Sequence, residues 1–282
     1  MTKRKVKSPI RGFRTKDGAG VSLVRVLGRE TVEEFDPILM LDSFDSTNPD
    51  EYTAGFPLHP HRGIETISYL SRGKMVHKDT LGNEDTITDG EVQWMNAGSG
   101  ILHEEQVPAS QRLLGVQLWL NLPQKDKFSN PYYHAIRKGD IKEIPFDNGK
   151  IRLLAGSFGK YEGFKGRHLP LDYYDIHLEK DGEINLDTKE DSSVMVFTLV
   201  GDIKIEGEQI KEKTAAKLTK GSKLTIKNDS DYAQVLFLST KALNEKVAWA
   251  GPIVMNNQDE LEEAFNDLNT GRFIRDKMEF ED

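Results

Sequence analysis

Short runs of alternating or unbroken apolar residues recur along this chain, most of them closed by Gly, Asp or Asn. Val21 to Leu27, Ile64 to Leu70, Lys74 to Lys78 and Leu113 to Leu120 carry the pattern in the first half. Tyr173 to Leu178, Ser193 to Val200, Ile203 to Ile205, Ser222 to Ile226 and Ala233 to Leu238 carry it in the second. Arg72-Gly73, Leu81-Gly82-Asn83-Glu84-Asp85, Asp89-Gly90, Gly201-Asp202 and Glu206-Gly207-Glu208 supply turns between them. A period of two sends alternate side chains to opposite faces of a strand, whereas a helical stripe repeats every ~3.6 residues. Many short strands punctuated in this way predict an all-β chain of antiparallel sandwich or barrel architecture.

One segment departs from that period. Asn257-Gln258-Asp259-Glu260 can cap a helix, Leu261, Ala264, Phe265 and Leu268 form its apolar stripe, and Asn269-Thr270-Gly271 stops it. The two halves also echo each other. Leu70-Ser71-Arg72-Gly73-Lys74-Met75 and Leu199-Val200-Gly201-Asp202-Ile203 both run an apolar strand into a Gly turn and a second alternating strand. The echo predicts a duplicated barrel, divided near Pro145-Phe146-Asp147-Asn148-Gly149 into domains of residues 1–145 and 146–282, the terminal helix lying with the second.

The chemistry concentrates in the first half. His59-Pro60-His61 and His103-Glu104-Glu105 each place two metal-binding side chains two residues apart, which on a strand is the same face. A lone His-x-His arises by chance; two such elements in one strand-rich half predict a site of His59, His61, His103 and Glu105. Glu104 faces away from His103 in an extended segment. Pro60 cannot donate to a sheet ladder and suits an edge strand or a bulge. The chain has no cysteine, so only nitrogen and oxygen remain as ligands. Imidazole with carboxylate suits Fe2+, Mn2+, Co2+, Ni2+, Cu2+ or Zn2+. His77 alternates on its own strand and reads as a pocket or core residue, while His134, His168 and His177 lack pairing.

Charge and hydropathy exclude other classes. With 46 acidic against 38 basic residues the chain carries a formal charge of -8, giving no global pull toward nucleic acid. No apolar run approaches the ~20 residues of a membrane helix, and the basic opening Met1 to Lys7 leads into Ser8-Pro9-Ile10, not a signal-peptide core. A cytoplasmic monomer without membrane contact is expected.

Gly55-Phe56-Pro57-Leu58-His59-Pro60-His61-Arg62-Gly63-Ile64-Glu65-Thr66 resembles the pirin family of bicupins, as does Gln93 to Glu105. Ala250-Gly251-Pro252-Ile253-Val254-Met255-Asn256, followed by an acidic helix, resembles the end of the same family. The resemblance implies two cupin β-barrels (double-stranded β-helix, jelly-roll-like) packed face to face, with a short C-terminal helix. It places metal in the N-terminal barrel on His59, His61, His103 and Glu105, most commonly iron, and leaves the C-terminal barrel metal-free. Ordinary cupins take a metal carboxylate near Glu65; in pirins the residue matching Glu105 has that duty. Asn96 stands where the general cupin motif has proline, and four residues separate Gly98 from His103, departures that fit pirins.

Several family members are described as quercetin 2,3-dioxygenases, and human-type relatives as nuclear transcription co-regulators. The enzymatic expectation is cleavage of a flavonol such as quercetin, or another small aromatic enol, with O2 uptake and carbon monoxide release. Glu105 would take the proton of the substrate hydroxyl. Phe56, Arg62, Met75, His77 and Trp94 are the expected pocket, although core packing would also account for Phe56, Met75 and Trp94, and bracing of a loop carboxylate would account for Arg62. The rival readings are a metal-dependent regulatory protein acting through a protein partner without turnover, and a structural zinc barrel.

Overall fold

In the computed structural model, which describes residues 2–275, strands follow one another with few helical interruptions. In chain order the first are β1 (Val6–Arg11), β2 (Phe13–Asp17), β3 (Val21–Leu27), β4 (Ile38–Ser46), β5 (Phe56–His61) and β6 (Ile64–Arg72). They continue as β7 (Met75–Asp79), β8 (Glu84–Ile87), β9 (Glu91–Asn96), β10 (Ile101–Gln106), β11 (Leu113–Asn121) and β12 (Tyr132–Ile136). The chain forms two compact units. One contains residues 14–23 and 38–137 and everything described from Asn244 on; the other contains the residues up to Phe13, 24–37 and 138–243.

The first unit carries all of the predicted metal ligands. Its strands form a seven-stranded sheet in the order β12-β9-β6-β11-β4-β3-β2 and a four-stranded sheet in the order β5-β10-β7-β8. Phe44, Leu70 and Leu113 of the larger sheet meet Met75 and Ile87 of the smaller in one buried apolar cluster. The inner side chains of these two sheets thus share one interior, apolar at this end.

The second unit repeats the plan. Its seven-stranded sheet runs β1, Thr214–Leu218, Ser193–Val200, Tyr232–Thr240, Leu171–Glu179, Gly149–Ala155, Lys142–Phe146. Its four-stranded sheet runs Glu183–Asp187, Lys223–Asn228, Ile203–Ile205, Glu208–Ile210. The sequence echo falls on matching places, because Gly73 and Gly201 make the same turn between matching strands. Both have positive φ, 111° and 73°, and at Gly201 a Cβ would lie 2.2 Å from the Tyr232 carbonyl oxygen. Where the first unit turns histidines inward, the strands matching β5 and β10 turn Ile184, Leu186, Leu224 and Ile226 into an apolar core.

The units are discontinuous in sequence, which corrects the expected single cut at 145/146. The N-terminal β1 pairs with Thr214–Leu218, so it extends the sheet of the second unit. The C-terminal helix Gln258–Asn269 belongs with the first, where Leu261 and Ala264 cluster with Ile253, Met255 and Leu102 of β10. Its cap is the expected one, the Asn257 side chain accepting from Glu260 N at 2.9 Å. No helix among the described residues is long and apolar enough to cross a membrane.

Candidate metal centre

Alternation on β10 buries Ile101, His103 and Glu105 and leaves Leu102 and Glu104 half-buried on the other face. Its neighbour β5 is the edge strand of the four-stranded sheet, as Pro60 requires. Register pairs His103 with His59 and Ile101 with His61, so three imidazoles meet on one inner face. A register shift beyond His103 brings Glu105 opposite Phe56, and the irregularity falls at Pro57-Leu58, not at Pro60. On the other side β7 sets Asp79 beside His103 and His77 beside Glu105.

The imidazole contacts fix which nitrogens are free. His59 Nδ1 lies 2.8 Å from the Pro57 carbonyl oxygen and His61 Nδ1 lies 3.0 Å from that of Pro252. A carbonyl only accepts, so both Nδ1 atoms carry hydrogen, and in the neutral rings both Nε2 atoms keep a bare lone pair. Those two Nε2 atoms face each other at 3.0 Å. His103 Nε2 is buried without a partner. The potential ligand atoms of the three residues lie within 4.8 Å of one another. Lone pairs converging in a buried site demand a cation, so the chain has a three-histidine metal site whose donors suit a divalent transition metal. Burial, then the neighbouring His59, pushes His61 down to about 3, and burial with the adjacent imidazoles pushes His103 well below its usual range. Both are therefore neutral, the form that binds metal.

Glu105 is not in that three-residue group. Its carboxylate accepts from the Gln93 amide on one oxygen and from the Gln117 amide at 2.8 Å on the other. Each carboxylate oxygen retains a further lone pair. Both glutamines also point at Ser68 Oγ, so β6, β9 and β11 jointly aim this carboxylate.

One layer nearer the histidines, register aligns Met40, Trp119, Thr66, Met95 and Tyr133 across the larger sheet. Two members of this layer touch imidazoles: the Trp119 ring stands 5.0 Å from that of His61, and Tyr133 stacks on His77 at 4.3 Å. Trp249 lies against Trp119 at 5.7 Å and is half-buried. These residues form the wall facing the histidines.

That wall corrects most of the expected pocket. Trp94 is one residue from Met95 and consequently points out of the interior, fully buried on the other face of the sheet. Met75 is core, and Phe56 packs edge-on against Phe44. Arg62 is fully buried and donates to Asp267 Oδ2 and to the Phe273 carbonyl oxygen, both at 2.9 Å. It braces a carboxylate, as the alternative reading had it. His77 alone of the five adjoins the cluster. Glu65 also lies on the outer face and accepts from Tyr132 Oη at 3.0 Å. Gln93, Gln117, Trp119, Tyr133 and Asp79 went unrecognised in the sequence. The available signals were Gln117 and Trp119 alternating within an apolar strand, and His77-x-Asp79 repeating the His-x-acid spacing.

Comparison with known proteins agrees with this geometry. Residues 20–120 match the family described as Pirin, and residues 173–274 match the Pirin C-terminal cupin domain. A Pseudomonas aeruginosa protein named "Putative quercetin 2,3-dioxygenase" is 39% identical over 92% of this chain and 94% of its own. A pirin-like protein of Caulobacter vibrioides is 36% identical over 97% of this chain and 100% of its own. The crystal structure of quercetin 2,3-dioxygenase from Acinetobacter baumannii superposes with a TM-score of 0.88 at 30% identity, covering 98% of this chain and 99% of that one.

Proposed function

The chain belongs to the pirin family of bicupins, and from that premise we propose that it is a metal-dependent dioxygenase that cleaves a flavonol such as quercetin with O2. The observation that carries this reading is the convergence of three bare Nε2 lone pairs beside a wall of Trp119, Met95 and Tyr133. His59, His61 and His103 would hold the ion, Fe2+ being the expected one, and Glu105 is the fourth donor. A bound metal would supply Lewis acidity toward the substrate's 3-hydroxyl. Glu105 takes the hydroxyl proton, held for that task by the amides of Gln93 and Gln117. Trp119, Met40, Met95 and Tyr133 offer an apolar surface to a planar aromatic ring and keep water from it. The matching strand orders of the two units support the further reading that each is a cupin barrel.

The test is anaerobic reconstitution with each of Fe2+, Mn2+, Co2+, Ni2+, Cu2+ and Zn2+, followed by quercetin loss, O2 uptake and carbon monoxide release. Stoichiometric metal and turnover, both abolished in His59→Ala, are expected. Full metal occupancy in a folded protein with no turnover for any ion would remove the dioxygenase assignment. Glu105→Gln should lose more turnover than metal; unchanged turnover would remove its role as base.

A further inference from the structure

The three imidazoles are not backed alike. His59 and His61 lean on neutral backbone carbonyls, whereas His103 Nδ1 meets another imidazole, His77 Nδ1, at 3.3 Å. His77 in turn places Nε2 2.8 Å from Asp79 Oδ2. Both side chains of that pair are fully buried, and the His77 ring is clamped by Tyr133, stacked at 18°.

Asp79 decides the direction of every hydrogen bond in this row. Its Oδ1 accepts from Leu81 N at 2.9 Å and Asn83 N at 3.1 Å, and its Oδ2 accepts from Asn83 Nδ2 at 2.8 Å. A carboxylate ringed by donors accepts from His77 as well, so His77 Nε2 carries the hydrogen and His77 Nδ1 is bare. The bare Nδ1 accepts from His103 Nδ1–H, and His103 is left with its lone pair on Nε2, the buried atom without a partner. No group in the row has to change its protonation.

We propose that Asp79 and His77 are positioning residues that lock His103 in the tautomer able to bind metal, a role resting on the metal-centre reading above. The proposal turns on the polarity of the hydrogen bonds, and two substitutions separate polarity from packing. In Asp79→Asn the two backbone N–H groups retain the amide oxygen at the Oδ1 position. The amide NH2 then faces His77 Nε2, and each hydrogen bond in the row reverses, leaving hydrogen on His103 Nε2. In His77→Gln the amide oxygen accepts from His103 Nδ1–H while its NH2 donates to Asp79, so the original direction survives.

The experiment is Co2+ titration of the full chain, with nitrogen NMR of the histidines in the metal-free protein. Wild-type His103 should carry hydrogen on Nδ1. Asp79→Asn should move it to Nε2 and weaken Co2+ binding about 10- to 100-fold, with His77→Gln close to wild type. Undiminished Co2+ affinity in Asp79→Asn, or His77→Gln as weak as Asp79→Asn, would overturn the lock. So would an Nε2–H tautomer at His103 in the wild type, a result that stands even where a variant fails to fold. A wild type that binds no Co2+ yet shows the Nδ1–H tautomer would instead remove the metal centre and leave the lock intact.

Discussion

Burial acts in opposite senses on the ionisable groups of the histidine-bearing unit. It keeps His61 and His103 neutral by lowering them, and it raises the Glu65 carboxyl from an ordinary 4.5 to about 7, against the opposing hydrogen bonds of Trp94 and Tyr132. For Glu65 the raised value has a sign. The unfolded chain sheds this proton near pH 4.5 and the folded protein only near 7, so folding stability falls across that window and is flat outside it. Glu65→Gln keeps an acceptor for Tyr132 without the ionisation. Urea unfolding at pH 5 and pH 7 should show the variant gaining on wild type by roughly 1–3 kcal/mol over that interval. Equal slopes for the two proteins would place Glu65 in water. The sequence marked Glu65 as outside the metal set but could not show its partner, because Tyr132 lies 67 residues away.

At the scale of a strand, the three histidines of the metal site were legible because two-residue spacing fixes a face whatever the register. The wall was not, since choosing it requires knowing which face of each strand turns inward, and a step of one residue exchanges them. Trp94 and Met95 show the cost of that step. Met95→Trp should crowd the space before the histidines and lower kcat/KM for quercetin while Co2+ affinity holds. Trp94→Ala should instead destabilise the fold by about 3–5 kcal/mol, as for a large buried ring. Steady-state kinetics beside thermal unfolding separates the two; a turnover defect confined to Trp94→Ala would put the pocket on the face first expected. Arg62 was ambiguous for a related reason, because a guanidinium next to His61 fits either a substrate or a distant carboxylate until Asp267 is located.

For the molecule as a whole, duplication was visible in the repeated strand rhythm and its Gly turns, but the exchange of ends was not. No local pattern says that β1 serves the later unit or that the residues beyond Asn244 serve the earlier one. Arg62 carries much of the second attachment, through Asp267, the Phe273 carbonyl and a guanidinium lying 4.2 Å from the centre of the Phe273 ring. Arg62→Met leaves the Asp267 carboxylate without this partner and should cost about 3 kcal/mol, with faster amide hydrogen exchange along Gln258–Asn269; unaltered exchange there would mean that packing alone holds the helix. The link between His61 and Pro252 spans 191 residues. On the ribosome, all three histidines therefore emerge long before the carbonyl that orients one of them. Until Pro252 has been made, His61 lacks the acceptor that fixes hydrogen on its Nδ1. The C-terminal segment, not the histidines themselves, is thus the last part of this arrangement to be made.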